Sequence, residues 1–419
     1  MTKRFITTLL ALPLALSTAY AQDTSGFPTS MPAITVSGYG TLALTQTNDD
    51  GAQFARPNQA SGAGKSARTG IDSNFGVQAN TNINNWLSAT VQGLARKDAE
   101  DDFGAELAWA FVKAKVNDKL SVRVGRMGMP VFLISDYRNV GYANTMVRPP
   151  SEVYVQVPIN NIDGIDATWQ QNIGDTSVSA QLAYGRTQSA VSGGVSHVEA
   201  THMSAFNLVA ENGPLTLRFG RADAKLSLDD VASLNTLLGT LRTVGAAYKL
   251  PTLAPLASDL EVHKKKAAFT SVGMIFDWNN ILVQSEYAKR KVDAYINDTN
   301  SWYVMAGYRF GKVLPYYSHA HTNSSASVTN TAPTSCPAGS PAACTPTVRA
   351  LSAGIDTLLK NTRQSTDTIG VRWDFYRSMA LKAQIDRVRP ESGNGTLIKV
   401  QPGFKGPVTV GAVALDFVF

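Results

Sequence analysis

An alternation of apolar with polar or small residues, repeated in short segments along nearly the whole chain, restricts this sequence more than any other feature. Ile34, Val36, Leu42 and Leu44 oppose Thr35, Ser37, Tyr39 and Thr41, and Leu87, Ala89, Val91 and Ala95 oppose Ser88, Thr90, Gln92 and Arg96. Leu120, Val122 and Val124 oppose Ser121 and Arg123; Ile369, Val371, Trp373 and Phe375 oppose Thr368, Gly370, Arg372 and Asp374. At the end of the chain Val413, Leu415, Phe417 and Phe419 share one face, with Val410, Ala412, Ala414 and Asp416 on the other. Period two means extended strands with unlike faces. A soluble sandwich alternates as well, so the spacing of the breaks has to decide.

Short polar turns fit at Asn82 to Asn85, Asn117 to Lys119, Asn172 to Asp175, Glu211 to Pro214, Asp277 to Asn280, Gly311-Lys312 and Tyr376 to Ser378. Between them fall long connections near 46–70, 97–103, 127–162, 187–201, 224–266, 292–299, 321–364 and 389–407. Short and long links in alternation, with both chain ends on the short-turn side, describe a closed transmembrane antiparallel β-barrel of about sixteen strands. Two segments fit less well: residues 201 to 211 alternate poorly, and Pro315 lacks the N–H a ladder needs, which places the start of its strand after the proline. Trp86, Trp278, Phe310, Phe375 and Phe419 lie beside the turns, as the aromatic girdle of a bilayer boundary requires.

Composition agrees with this class. After the N-terminus there is no apolar run long enough for a helical span, and the mean hydropathy of −0.09 with 44% hydrophobic residues is the average that alternating faces produce. Lys3 and Arg4, an apolar stretch from Phe5 to Leu16 and Ala19-Tyr20-Ala21 read as a signal peptide over residues 1–21, leaving a barrel domain over 22–419. Taking Lys3 and Arg4 from the +6 of the full chain leaves +4, too mild and too scattered for nucleic acid. The run Lys264-Lys265-Lys266 reads as a solvated loop, as does the charge cluster from Lys97 to Asp102. Ser227 to Leu241 carries Val231, Leu234, Leu238 and Leu241 at helical spacing and reads as a short amphipathic helix. Cys336 and Cys344, the two cysteines, are expected to form one local disulfide in an oxidising compartment.

The whole mature chain resembles Gram-negative trimeric porins, the general-diffusion and related substrate-selective barrels. The pieces that carry the resemblance are the opening strand Ile34 to Leu44 with Gly38-Tyr39-Gly40, the strand end Val124-Gly125-Arg126 before a long third loop, and the closing strand ending in Phe419. The resemblance implies residence in the bacterial outer membrane, in contact with its lipid, and a homotrimer. It also implies that Val413, Leu415, Phe417 and Phe419 form the signal read by the barrel-insertion machinery. It further implies that the third loop, here Met127 to Asp163, folds into the lumen. That loop holds Asp136, Arg138, Arg148, Pro149-Pro150 and Glu152, and departs from the acidic Pro-Glu-Phe-type loop of the best known enterobacterial porins.

Sixteen strands enclose a lumen wide enough for water, and alternation points Arg96, Arg123, Arg218, Arg309, Arg372 and Lys382 into it. Asp72, Asp166, Glu286 and Asp386 are expected there too, with Asp136, Arg148 and Glu152 approaching from the third loop. Opposed charges across a narrow aqueous channel favour small hydrophilic solutes and ions, and the excess of bases suggests weak anion preference. No cofactor is called for. An outer-membrane enzyme is the main rival, but the five histidines show neither the His-Glu-x-x-His spacing nor a triad partner, and no nucleophile elbow or third metal ligand for His319 and His321 stands out. No catalytic or metal residue is therefore named. An adhesive or structural barrel, using the Ser/Thr-rich loop at 321–364, is the second rival.

Overall fold

A computed structural model describes residues 33–190 and 196–419; the expected cleavage after Ala21 lies outside them. The first eight strands are β1 (Ile34–Thr47), β2 (Asn74–Asn82), β3 (Leu87–Lys97), β4 (Phe103–Lys115), β5 (Leu120–Gly128), β6 (Asn161–Ile173), β7 (Thr176–Ala190) and β8 (His197–Asn212). They are followed by β9 (Leu215–Asp229), β10 (Lys265–Trp278), β11 (Ile281–Val292), β12 (Asp298–Tyr308), β13 (Val313–Ser325), β14 (Arg363–Tyr376), β15 (Met379–Ser392) and β16 (Val408–Val418). Each pairs with its sequence neighbours, and β1 pairs antiparallel with β16 to close the barrel. Closure leaves no sheet edge, so backbone donors find partners without water, as a bilayer demands.

The seven short turns fall where the sequence places them. The strands reach further at the other end, so most long connections are shorter than expected, 230–264 rather than 224–266 and 326–362 rather than 321–364, while the first shifts from 46–70 to 48–73. Lys265 and Lys266 belong to β10 and only Lys264 to the connection. The amphipathic helix occupies α2, Ala232–Ala247, rather than Ser227 to Leu241, because Ser227 to Asp229 continue β9. Two further helices escaped the sequence reading, α3 (Leu253–Leu260) and α4 (Cys344–Leu358), numbered after a single turn α1 (Ser151–Tyr154) in the third loop. Leu238, Leu241, Leu253 and Leu256 pack with Val348 and Ile355 into a small helical cluster built from two of the long connections. The Cys336–Cys344 disulfide is formed at the start of α4.

Two local irregularities explain the weak segments. β8 breaks register against β9 between Thr201 and Ser204, so its alternation changes phase at the bulge. β13 begins at Val313 and includes Pro315, paired with Val371, which corrects the expectation of a later start. Val313 exchanges both backbone hydrogen bonds with Phe310, so position 315, two residues on, also faces β12. Pairing breaks between the Gly307–Tyr316 and Phe310–Val313 bridges, where Pro315 has no N–H to donate to β12.

The outer face is greasy: Leu42, Leu182, Val272, Ile369 and Ile385 are all exposed. Trp86, Trp278, Phe310 and Phe419 are exposed beside the turn end, while Phe375 is half-buried. On this face the closing aromatics lie over glycines. A Cβ at Gly38 would stand 2.3 Å from the Phe419 ring and 2.9 Å from the Gly76 carbonyl, and one at Gly40 would stand 2.4 Å from the Phe417 ring. Gly38→Val is expected to cost about 1–3 kcal/mol through overpacking at the closing seam. Urea unfolding in detergent should show it, and unchanged stability would mean that the rings can move aside freely.

Candidate functional site

Two connections turn inwards to line the passage, residues 48–73 after β1 and 129–160 after β5. The third loop is held on one side by grease. Its Met129, Val131, Phe132, Leu133 and Tyr154 are buried against wall residues such as Phe269, Tyr303 and Tyr316. Glu286 of β11 fixes this contact by accepting hydrogen bonds from Leu133 N (2.8 Å) and the Tyr154 hydroxyl (2.6 Å). Arg218 of β9 donates to Asp136 at 2.7 Å, to the Leu133 carbonyl and to Asn207.

On the opposite wall, charge does the same work. Lys382 of β15 is 1% exposed and donates to the carbonyls of Gly141 (2.8 Å), Asn144 (2.6 Å) and Met146 (3.2 Å). It also pairs with Asp416 at 2.8 Å. Arg372 donates to the Tyr142 and Asn144 carbonyls and is paired with Asp374. The loop approaches so closely here that a Cβ on Gly141 would meet Asp416 at 2.1 Å. Glu152 of α1 is buried and accepts hydrogen bonds from Gln364 and Thr366; burial, its largest influence, pushes its carboxyl above the ordinary range despite those bonds.

With the third loop pinned to β9–β16, the open volume lies towards β2–β6. Arg56 from the first connection, Arg96 of β3, and Arg138 and Arg148 from the third loop line one narrow cavity there. Arg96 is paired with Glu106 at 2.8 Å. Arg148 sits between Asp72 (3.3 Å) and Asp386 (3.6 Å), with its guanidinium 4.7 Å from the centre of the Phe54 ring. Neither Arg56 nor Arg138 has a carboxylate partner among the described residues. Burial first, then the charges of Arg96 and Arg56, pulls the Arg138 pKa down to about 9. Burial also lowers that of Arg56, and Asp72 only partly opposes it. A guanidinium holds its proton near neutrality regardless, so the cost is that of keeping charged groups desolvated, with the neighbouring like charges adding to it.

At the turn end the passage widens into a cavity of about 590 Å³ whose lining includes Lys113, Lys115, Lys119 and Arg123, with Asp118 the one acid. Arg123 is paired with Asp166 and Lys115 with Asp118 at 2.8 Å.

The charges named from sequence thus fall into three groups. Arg96 and Arg148 meet at the narrow cavity, and Arg123 faces the wide one. Arg218, Arg372, Lys382, Asp136 and Glu152 fasten the third loop. Arg309 stands apart: it is paired with Asp277 at the turn end, far from the inturned loops. Val413 and Phe419 of the closing segment are exposed on the outer face. His319 and His321 also face outwards, flanking the Trp302 ring, and among the described residues no group of three or more ligating side chains could hold a metal. Sequence reasoning missed Arg56, Lys113 and Lys115. Arg56 lies in a connection with no periodicity to orient it. The two lysines follow a bulge in β4, where Trp109 opposes Gln92 and Leu107 opposes Gly93, so Ala108 is the extra residue that reverses the faces.

A closed sixteen-stranded barrel, greasy outside and polar within, narrowed by a loop pinned across its lumen, defines the class of outer-membrane diffusion channels. The chain belongs to the Gram-negative porin family, whose Porin_4 sequence pattern it matches over residues 7–327. No curated protein matches it at a significant level. Solved porins share the fold at low identity. OmpF of Salmonella typhi in complex with daunomycin superposes with a TM-score of 0.54 at 13% identity, covering 93% of this chain and 98% of that one. The anion-selective porin of Comamonas acidovorans gives 0.51 at 14%, covering 93% and 100%. The trimeric form of OmpT from Vibrio cholerae gives 0.52 at 13%, covering 92% and 100%. The protein is a channel of the bacterial outer membrane.

Proposed function

We propose that this porin passes small hydrophilic solutes and ions with a preference for anions, and that it acts as a channel and not as an enzyme. The observation that carries the reading is the pair of guanidiniums, Arg56 and Arg138, that line the narrow cavity without carboxylate partners among the described residues. They are followed by the basic wall of Lys113, Lys119 and Arg123. Fixed positive charge in a low-dielectric constriction draws anions in and raises the barrier to cations. Arg96 and Arg148, balanced by Glu106, Asp72 and Asp386, supply the transverse field that orders water and disfavours apolar solutes. Arg218, Arg372, Lys382, Asp136 and Glu152 keep the third loop in place, and Arg309 braces the turn end of the wall. Relatives of this fold include a trimer and an anion-selective channel, which favours the same assembly and selectivity here. Residues 1–21 act as the export signal, and Val413, Leu415, Phe417 and Phe419 are read by the insertion machinery.

Planar-bilayer recording on refolded protein tests the reading. Stepwise openings are expected, with a reversal potential of the sign that marks anion preference in a salt gradient. A correctly folded but silent barrel would support an adhesive or structural role. Cation preference would remove the selectivity assignment while leaving the pore.

A further inference from the structure

A third cavity inside the barrel has the opposite character. It is a half-open space of about 150 Å³ between the third loop and the inner faces of β8–β11, lined by Met129, Met203, Leu226, Phe269 and Ile296. The wall there is small and apolar: Ala200 and Ala222 face inwards and are buried. A water-filled channel has no use for a greasy recess, and an apolar cavity of about 150 Å³ is large enough to hold a single six-carbon ring. One charged side chain lines it. Arg290 of β11 is half-buried, with its Nε shielded from solvent. Its two terminal nitrogens donate to the carbonyls of Gln156 (2.8 Å) and Asn297 (2.9 Å), while its Nε has no hydrogen-bond partner among the described residues. A buried, unpaired guanidinium donor is costly unless an acceptor meets it.

We infer that this recess is a binding site for a small apolar carboxylate, an aromatic or branched ring-sized body in the cavity with its anionic group against Arg290. An apolar pocket with one convergent polar group is the usual form of a small-molecule site. The site deepens the anion-channel reading on which it rests: the narrow arginine cavity admits anions, and the recess retains those with a greasy body. Acetate fills too little of it, and benzyl alcohol brings no charge to the guanidinium.

The test is calorimetric titration of benzoate into the full-length refolded protein in detergent. Saturable binding is expected, with benzyl alcohol and acetate each weaker by about tenfold or more. Ala222→Phe, which fills the recess, is expected to abolish saturation, and Ala224→Leu on the same wall serves if that variant does not refold. Arg290→Met is expected to remove the advantage of benzoate over benzyl alcohol. Absence of saturable benzoate binding to a barrel that conducts chloride would overturn the site alone. Binding unchanged by both cavity-filling variants would place the ligand elsewhere and overturn it too. Saturable binding by a barrel that is silent in bilayers would instead leave the site standing and sink the channel reading.

Discussion

The double variant Arg56→Gln, Arg138→Gln is expected to turn the channel from anion to cation preference, seen as a change in sign of the reversal potential across a salt gradient. At the narrow cavity five basic groups, those of Arg56, Arg96, Lys97, Arg138 and Arg148, stand against the carboxylates of Asp72, Asp101, Glu106 and Asp386. Removing two leaves the carboxylates in excess. Unit charges about 4 Å apart interact by roughly 1 kcal/mol in bulk water and about 4 kcal/mol near a protein surface. A change in the anion-to-cation permeability ratio of about tenfold needs only about 1.4 kcal/mol. The effect should be largest in dilute salt, because the Debye length shrinks to about 3 Å at molar ionic strength. Arg309→Gln is the control. Its partner Asp277 lies at the turn end with it, so that variant should leave the ratio nearly unchanged. A double variant that remains anion-preferring would show that Lys113, Lys119 and Arg123 govern selectivity instead.

How much of this was legible in the sequence follows from what each signal measures. Alternation reports two solvents on the two faces of a strand, and a barrel in a bilayer keeps that rule wherever register is unbroken. The inward positions of Arg96, Arg123, Arg218 and Arg372 were therefore readable, and six of the seven turns were marked by Asn, Asp or Gly between strands, Tyr376 to Ser378 being the exception. Where a bulge adds a residue the rule changes sign without notice, as at Ala108 in β4 and near His202 in β8. Lys113 and Lys115 were lost that way. Loops carry no period at all. Arg56 and Arg138 come together across more than 80 residues of sequence because apolar anchors such as Phe132 and Tyr154 seat the third loop, and those anchors look in sequence like any other hydrophobic residues. Alternation also identified an inward charge without saying whether it faces solute or fastens a loop. Lys382 and Arg123 follow the same pattern, yet Lys382 is buried under the loop and Arg123 lines the open passage.

That distinction makes Lys382 the residue whose loss should cost the fold most. Lys382→Met removes the partner of Asp416, which is 1% exposed, and frees the carbonyls of Gly141, Asn144 and Met146. Asp416 keeps a hydrogen bond from the Thr41 hydroxyl at 2.6 Å, which is too little for a buried carboxylate. Breaking a buried pair in this way costs about 3–5 kcal/mol, whereas replacing both partners by groups of similar volume is often close to neutral. Urea unfolding of the refolded barrel should therefore show Lys382→Met strongly destabilised and Lys382→Met, Asp416→Asn largely restored. The single-channel record should separate stability from loop anchoring. The double variant regains a balanced interior but still lacks the donor to three loop carbonyls, so its open-channel current should be noisier than the wild type even where its unfolding midpoint has recovered. If Asp416→Asn gives no rescue, the cost lies in the freed carbonyls and not in the orphaned charge. If both variants unfold and conduct like the wild type, the loop is held by its apolar side alone.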